Sequence, residues 1–181
     1  EGVFKAGSAG RPLKGIEVRI NGEEAQALDP GEVGEVLIKG PNIMKGYFEK
    51  PEETSTVLKE GWLYTGDMGY LDEDGYLFIV GRKKDLIIRG GFNIYPREIE
   101  EVLNGHALIS ESAVVGVPNK YLGEEVQAYV KLKPGSPLTE EQILEYCEEK
   151  LPYYKTPKFI KFVNSFKKDP SGMIAKKLIE E

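Results

Sequence analysis

Apolar and polar residues alternate in short runs along residues 1–82 of the chain, and Gly, Pro, Asn and Asp separate the runs. Alternation with a period of two is typical of strands, and the separating residues favour turns. A short helix is predicted to begin at Pro51, because proline suits the first helical position and Glu52 and Glu53 favour the positive end of the helix dipole. This part is otherwise predicted to be β, with its clearest strands at IEVRI (16–20), EVLIK (35–39) and YLFIV (76–80).

Beyond Arg82 the pattern changes, and strand-like runs alternate with helix-like ones. The segment PREIEEVLN has apolar residues at helical spacing, and Pro96 can open the helix. Thr139, with Gln142 three residues later, forms a capping box that begins a second helix running to about Lys150. A short final helix is predicted over MIAKKLIEE (173–181). Strands are predicted at DLIIR (85–89), FNI (92–94), SESAVVGV (110–117), EEVQAYVKL (124–132) and KFIKFV (158–163).

The stretch GRKKD (81–85) marks the boundary between the two parts. Four charged residues follow a glycine here, and no buried element accommodates such a run, so the stretch is predicted to be an exposed linker. The predicted domains are residues 1–82 and residues 83–181, with a hinge at 82–85. A mainly β part followed by a part in which strands and helices alternate places the chain in the α+β class.

Composition narrows the classes of function. The chain has 181 residues, of which 40% are hydrophobic and 30% charged, as in ordinary globular proteins. No run reaches the roughly 18 apolar residues of a membrane span, and the N-terminus lacks the basic and apolar regions of a signal peptide, so a cytoplasmic location is predicted. One cysteine, Cys147, and one histidine, His106, provide neither an internal disulfide nor a zinc site, so no structural metal is predicted.

The net charge of −6 is unevenly distributed along the chain. Residues 1–82 carry 9 basic and 15 acidic side chains, whereas residues 83–181 carry 15 of each. Lysines gather between Lys150 and Lys177, where they form either a shallow surface that attracts anions or an ordinary solvated face. The sequence contains no basic stripe with interleaved aromatic residues, so nucleic acid is not predicted as a partner.

Two polar residues are candidates for binding a sugar. Asp67 follows Thr65 and Gly66 in a predicted turn, where the glycine leaves the carboxylate accessible. Such a carboxylate can accept hydrogen bonds from two neighbouring hydroxyls, as on a ribose, although Thr-Gly-Asp is also a common structural turn. Arg82, at the end of a predicted strand, could add a charge-assisted contact to the same ligand or form a surface ion pair.

The segment KKDPSGMIAKKL (167–178) combines a Pro-Ser-Gly turn with flanking lysines. Such a turn would suit an anionic ligand, yet the residue directly after the glycine is Met173. The pattern is compatible with an anion-binding loop that lacks its cation and with the cap of a final helix.

Three blocks of sequence, taken together, indicate a family. They are GWLYTGD (61–67), GYLDEDGYLFIVGRKKD (69–85) and GGFNIYPREIEEVL (90–103). In this order and spacing they closely resemble the acyl- and aryl-CoA synthetases of the adenylate-forming enzyme superfamily. The resemblance covers the whole chain, since GSAGRPLKGIEVRI (7–20), GEVLIKGPNIMKGYF (34–48) and LPYYKTPKFIKFV (151–163) are similar to further blocks of that family.

The resemblance implies a fold and a set of ligands. The first part would be the β-rich, distorted-barrel end of a large AMP-binding N-terminal domain, and the second a compact, mobile α/β C-terminal lid domain. Asp67 matches the aspartate that binds both ribose hydroxyls of ATP or AMP, and Arg82 matches an arginine that contacts the same nucleotide. Lys84 falls at the hinge residue, and Gly91 matches a glycine that lies along the pantetheine arm of CoA.

Enzymes of this family work in two steps. A carboxylate first attacks the α-phosphate of Mg-bound ATP to give an acyl-adenylate, and the CoA thiol then displaces AMP. A lysine after the glycine of the final turn neutralises charge in the first step. Met173 occupies that position here, so impaired adenylation and a largely intact thioester step are predicted. The alternative is that Lys168 or Lys176 reaches the site from a shifted loop.

The sequence contains no phosphate-binding loop and no Thr-Glu pair for Mg, so these are expected upstream of the chain. The chain is therefore interpreted as the C-terminal portion of a longer acyl-CoA ligase, inactive alone, whose partners are its missing N-terminal domain, a carboxylic acid, ATP and CoA. GGFNIYPREIE is closer to fatty-acyl and aryl CoA ligases than to peptide-synthetase domains, and a fatty acid is the favoured substrate. Oxidation of the luciferase type is not favoured, because Ile88 stands where those oxygenases tend to carry a lysine. The alternative function is a non-catalytic nucleotide- or CoA-binding homologue or regulatory module.

Overall fold

A computed structural model of the chain describes residues 4–22, 26–176 and 179. The chain divides into two units, residues 1–84 and residues 85–181, and each unit has its own five-stranded sheet. The division falls two residues beyond the domain boundary predicted from the charged stretch. Strands predominate and helices are short, which confirms the predicted α+β class.

The first unit is a mainly antiparallel sheet with one exposed helix. Its elements are β1 (Glu17–Asn21), β2 (Gly34–Lys39), α1 (Pro51–Val57), β3 (Leu58–Lys59), β4 (Trp62–Leu71) and β5 (Leu77–Arg82). The strand order is β1-β2-β4-β3, β5 pairs with the second half of β4, and the sheet curls into a half-barrel. The three predicted strands and the helix beginning at Pro51 are confirmed.

The longest strand of the first unit, β4, is not predicted by the hydrophobic pattern, which places Thr65, Gly66 and Asp67 in a turn. The structure corrects this prediction, because these three residues form a bulge in β4 opposite the single residue Val36 of β2. Gly66 has a φ of 70°, in the left-handed region that favours glycine. The glycine therefore serves to bend a strand rather than to reverse the chain.

The second unit is a sheet with two helices packed on one face. Its elements are β6 (Ile87–Arg89), β7 (Phe92–Ile94), α2 (Pro96–Asn104), β8 (Ile109–Asn119), β9 (Gly123–Leu132), α3 (Glu140–Glu148) and β10 (Phe159–Phe162). The strand order is β10-β9-β6-β7, β8 pairs with β9, and β10 runs parallel to β9. All the strands predicted beyond Arg82 are confirmed, as are the helices at Pro96 and after Thr139, and Thr139 and Gln142 form the predicted capping box.

The core of the second unit lies between the sheet and the two helices. From α2, Ile99 and Leu103 are fully buried, and from α3, Ile143 and Cys147 are fully buried. They pack against alternate residues of the strands, including Val114, Val126, Ala128 and Val130. This packing orients the loops at the ends of the strands, which carry the candidate binding residues.

The predicted final helix is not found over Met173–Ala175. Ile174 instead forms an antiparallel bridge with Lys168, and the Ala175 amide donates to the carbonyl of Lys167. The chain therefore makes a tight hairpin, in which Asp169 accepts hydrogen bonds from the amides of Ser171 and Met173. Residues 177, 178, 180 and 181 of the predicted helix lie outside the described residues.

Within the described ranges, no helix has the length and apolar composition needed to cross a bilayer.

We expect Cys147 to resist thiol reagents in the folded protein. Its side chain is fully buried, and burial raises the pKa of the thiol to about 11. At pH 8 such a thiol is roughly 100-fold less ionised than an ordinary one, and only the thiolate reacts. Labelling with Ellman's reagent should be slow in buffer and rapid in denaturant. Labelling in buffer at the rate of a free thiol would contradict the described position of α3.

Candidate functional site

Asp67 and Arg82 form an ion pair across two neighbouring strands of the first unit. The two residues are register partners in β4 and β5, and Arg82 Nε lies 2.8 Å from Asp67 Oδ1. Their side chains are 31% and 49% exposed, so the pair is open to solvent and contributes little to stability. A carboxylate and a guanidinium held side by side in this way can both contact one polar ligand.

The bulge in β4 holds Asp67 in place. The hydroxyl of Thr65 donates to the carbonyl of Val36 at 2.8 Å and accepts from the Asp67 amide at 3.0 Å. The Gly66 amide donates to Oε1 of Glu35 at 3.3 Å. These bonds replace the regular hydrogen-bond ladder at the bulge. They fix the backbone position from which the Asp67 carboxylate projects.

The surroundings of Asp67 fit a sugar hydroxyl pair. A Cβ placed on Gly66 would meet no atom within 4 Å, so the backbone directly before Asp67 is open. A carboxylate is an acceptor for two hydroxyl donors, and the neighbouring guanidinium offers donors to a ring or phosphate oxygen. The residues present are therefore compatible with the ribose of a nucleotide.

Glu35 is a part of this site that the sequence did not indicate. Besides accepting from Gly66, it forms a 2.8 Å ion pair with Lys83, directly after Arg82. Glu35 thus joins the bulge to the start of the charged stretch. Its strand pattern gives no sign of this, because the contact depends on the register between β2 and β4.

Lys84 lies in a 3₁₀ helix, Lys83–Asp85, at the end of the first unit. The stretch was predicted as an exposed linker, and its lysines are exposed as expected. In the part of the chain that the structure describes, the Lys84 side chain makes no hydrogen bond or ion pair. Its role as a hinge stays a prediction.

Gly91 lies in the turn between β6 and β7, beside Gly90. Their φ angles are 86° and 57°, and a Cβ placed on Gly91 would meet no atom within 4 Å. The Gly90 amide donates to the carbonyl of Leu122 at 2.8 Å, which attaches the turn to the loop before β9. The backbone at Gly91 is therefore open to a thin ligand.

Met173 follows a hairpin turn built around one carboxylate. Oδ1 of Asp169 accepts from the amide and the hydroxyl of Ser171, at 2.8 and 2.5 Å, and from the Met173 amide at 3.1 Å. The Ser171 hydroxyl lowers the pKa of Asp169, with the backbone amides adding to it, so the turn is fixed at neutral pH. The Met173 side chain is 61% exposed and projects from an ordered turn.

The two lysines that could have replaced the missing charge are both held in ion pairs within the second unit. Lys168 Nζ lies 2.5 Å from Oε1 of Glu111, and Lys168 is the main cause of a lowered pKa at that carboxylate. Lys176 Nζ lies 2.6 Å from Glu100 and donates to the carbonyl of Val114 at 3.1 Å. Either lysine would have to leave its partner to reach a ligand at the tip of the turn.

The structure thus distributes the predicted site residues over two units. Asp67, Arg82 and Lys84 belong to the first unit, and Gly91 and Met173 belong to the second. Among the residues described, no group of three or more His, Cys, Asp or Glu side chains could hold a metal ion.

Two family descriptions match the sequence. Residues 98–173 match the family described as AMP-binding enzyme C-terminal domain, and residues 2–48 match the one described as AMP-binding enzyme. A similar curated protein is a long-chain-fatty-acid–CoA ligase of Bacillus subtilis (strain 168), which is 48% identical over 99% of this chain and 32% of its own length.

Solved structures give the same picture. ATP-bound MatB from Rhodopseudomonas palustris has a TM-score of 0.92 and 38% identity over 99% of this chain and 36% of its own. O-succinylbenzoate coenzyme A synthetase (MenE) from Bacillus subtilis, in complex with ATP and magnesium ion, has a TM-score of 0.91 and 38% identity, over 98% and 36%. The chain therefore spans about a third of the length of the relatives it matches.

Proposed function

Since the chain belongs to the AMP-binding enzymes and corresponds to the C-terminal part of their acyl-CoA synthetases, we propose that it serves a ligase that joins a carboxylic acid to CoA. The acid is activated with ATP to an acyl-adenylate, and the CoA thiol then takes the acyl group and releases AMP. The observation that carries this proposal is the ion pair of Asp67 and Arg82 on an open, bulged part of the first sheet.

In this proposal Asp67 accepts hydrogen bonds from the two ribose hydroxyls, and Arg82 orients the carboxylate while donating to the same nucleotide. The Thr65 and Glu35 hydrogen bonds keep the bulge in one conformation, which lowers the entropy lost when the nucleotide binds. Gly91 lies along the pantetheine arm. Lys84 is the hinge about which the C-terminal lid rotates between one pose for adenylation and another for thioester formation.

Met173 stands where the family carries a lysine, and this difference is expected to change the rate of the adenylation step. A thioether can neither neutralise charge between carboxylate and phosphate nor donate hydrogen bonds to it. The ion pairs of Lys168 with Glu111 and of Lys176 with Glu100 support the proposal that neither lysine replaces it. We therefore expect slow adenylation and a largely intact thioester step in the full-length protein.

The remaining parts of the reaction are assigned to the rest of a longer polypeptide. The phosphate loop, the Mg ligands and the acyl pocket belong to a missing N-terminal domain, so the isolated chain is expected to be inactive. The enzyme is expected to work in the cytoplasm. A fatty acid is the favoured substrate, supported by the relative named a long-chain-fatty-acid–CoA ligase, whereas MenE is named for succinylbenzoate.

The test of the nucleotide site compares AMP with 2′-deoxy-AMP in the full-length protein. Asp67→Asn keeps the shape of the bulge but loses the charge, so AMP should bind about 10- to 100-fold more weakly, as for a lost charged hydrogen bond. The wild-type preference for AMP over 2′-deoxy-AMP should shrink in the same variant, because the preference comes from the ribose hydroxyl. Isothermal titration calorimetry gives both numbers.

A matched control is Glu73→Gln, which removes an exposed charge in the turn between β4 and β5 and should leave both affinities unchanged. If Asp67→Asn bound AMP as tightly as the wild type, this result would contradict the role of Asp67 in nucleotide binding.

A second candidate function is a non-catalytic homologue that binds nucleotide or CoA without turnover. The exposed, uncharged Met173 favours it. Thioester formation from presynthesised acyl-adenylate separates the two candidates, since only a ligase would produce acyl-CoA.

A further inference from the structure

The Arg89 side chain lies where three segments of the second unit meet. Its Nε is 2.6 Å from Oε1 of Glu125 on β9. Its Nη1 donates to the carbonyl oxygens of Tyr153, at 3.2 Å, and Tyr154, at 2.9 Å. Because Arg89 ends β6 directly before Gly90, one guanidinium ties the glycine turn to β9 and to the segment 152–156.

The ion pair of Arg89 and Glu125 is shielded from water, with side-chain exposures of 18% and 6%. A buried carboxylate needs a hydrogen-bonded counter-charge, and losing the partner is far more costly than losing a surface pair. By comparison, the pair of Arg97 and Glu101 on α2 is 49% and 66% exposed. The Arg89–Glu125 pair is therefore expected to hold the end of β6 to β9 more strongly than an exposed ion pair would.

Aromatic rings attach the other side of the turn to the same segment. Phe92, directly after Gly91, stacks on Tyr154 with ring centroids 4.5 Å apart, and Tyr153 meets Tyr154 edge-on at 5.6 Å. Arg89 and Phe92 are also register partners in β6 and β7. Both residues that flank the two glycines thus rest on the segment 152–156.

We propose that Arg89 is a positioning residue for CoA, which fixes the Gly90–Gly91 turn in the conformation that receives the pantetheine arm. The inference rests on the proposed function, in which Gly91 lies along that arm. Two adjacent glycines have many accessible conformations, so a turn made of them needs outside anchors to keep one. A turn held ready in the free protein spares the ligand the cost of ordering it.

The geometry requires arginine rather than any cation. The planar guanidinium directs Nε to a carboxylate and Nη1 to two carbonyls at the same time. A lysine ammonium is a compact point charge on a flexible stem and cannot hold that arrangement. Arg89→Lys should therefore keep the charge beside Glu125 and lose the attachment to the segment 152–156.

The experiment measures thioester formation from presynthesised acyl-adenylate in the full-length protein as a function of CoA concentration. Arg89→Met should raise the KM for CoA by roughly 10-fold, because CoA would then have to order the turn as it binds, and kcat at saturating CoA should change little. Arg89→Lys should fold normally and show a smaller rise in KM. Glu125→Gln should also raise the KM.

The matched control is Arg97→Met, which breaks an exposed arginine pair in the same unit and should leave the KM for CoA unchanged. Hydrogen exchange at the Gly90 amide, which donates to Leu122, should be faster in Arg89→Met and Arg89→Lys than in the wild type. If the wild-type protein forms no thioester, that result overturns the proposed function. Hydrogen exchange at Gly90 would still test whether Arg89 anchors the turn. An unchanged KM for CoA, or unchanged exchange at Gly90, would overturn the role of Arg89.

Discussion

Replacing Met173 with lysine is expected to raise the rate of ATP–pyrophosphate exchange by the full-length protein about 10²- to 10³-fold. This is the range by which a single electrostatic contact to a developing charge changes a rate. The turn that would carry the lysine is already ordered by Asp169, and the Met173 side chain is 61% exposed, so the substitution needs no repacking. Its effect on the free energy of unfolding should stay within about 0.5 kcal/mol, as for other surface changes.

The control for charge is Met173→Leu, which keeps an apolar side chain of similar size and should not raise the exchange rate. Thioester formation from presynthesised acyl-adenylate should be similar in the wild type and in Met173→Lys, because the lysine acts in the first step. Fast exchange in the wild type with no gain from lysine would show that another cation acts, and Lys168→Met and Lys176→Met would then identify it.

Lys84→Pro is expected to block the second half-reaction while sparing the first. Lys84 lies within the 3₁₀ helix Lys83–Asp85, and proline would fix its own φ and restrict the residue before it. If the lid rotates about this residue, thioester formation should fall by about 10²-fold or more, as when a reacting group is held out of position. Pyrophosphate exchange, measured in the Met173→Lys background where it is fast, should change little.

Lys84→Ala separates the backbone from the side chain. The Lys84 side chain has no hydrogen bond or ion pair within the described ranges, so alanine should leave both half-reactions intact. Melting curves of the two variants would show whether proline destabilises the fold. Equal loss of both half-reactions in Lys84→Pro, at an unchanged melting temperature, would count against the hinge.

Local signals in the sequence predicted most of the elements. Pro51 and Pro96 begin helices, and the Thr139 capping box begins the third, because each signal acts within one turn of the chain. The start predicted for the final helix, at Met173, was wrong. Helix-forming residues follow Gly172, but the Asp169 carboxylate takes the Ser171 and Met173 amides and directs the chain into a hairpin.

The candidate site was less predictable, because it depends on register. The sequence predicts that Asp67 and Arg82 could contact one ligand, but their ion pair depends on the register between β4 and β5. Glu35 and Thr65 belong to the same site through a hydrogen bond to β2 and a hydroxyl that bridges the bulge. Pairings of this kind join residues about 30 positions apart, and no short-range pattern encodes them.

The contacts at Val114 have a consequence for how the chain behaves at high concentration. Strand β8 pairs only with β9 among the described strands, so its other side offers backbone groups to any passing strand. At Val114 both outward groups are taken, since the amide donates to Glu100 and the carbonyl accepts from Lys176. Two charged side chains thus stand on the open edge and interrupt it at its centre. They block edge-to-edge pairing with another chain at this position and so oppose aggregation through β8.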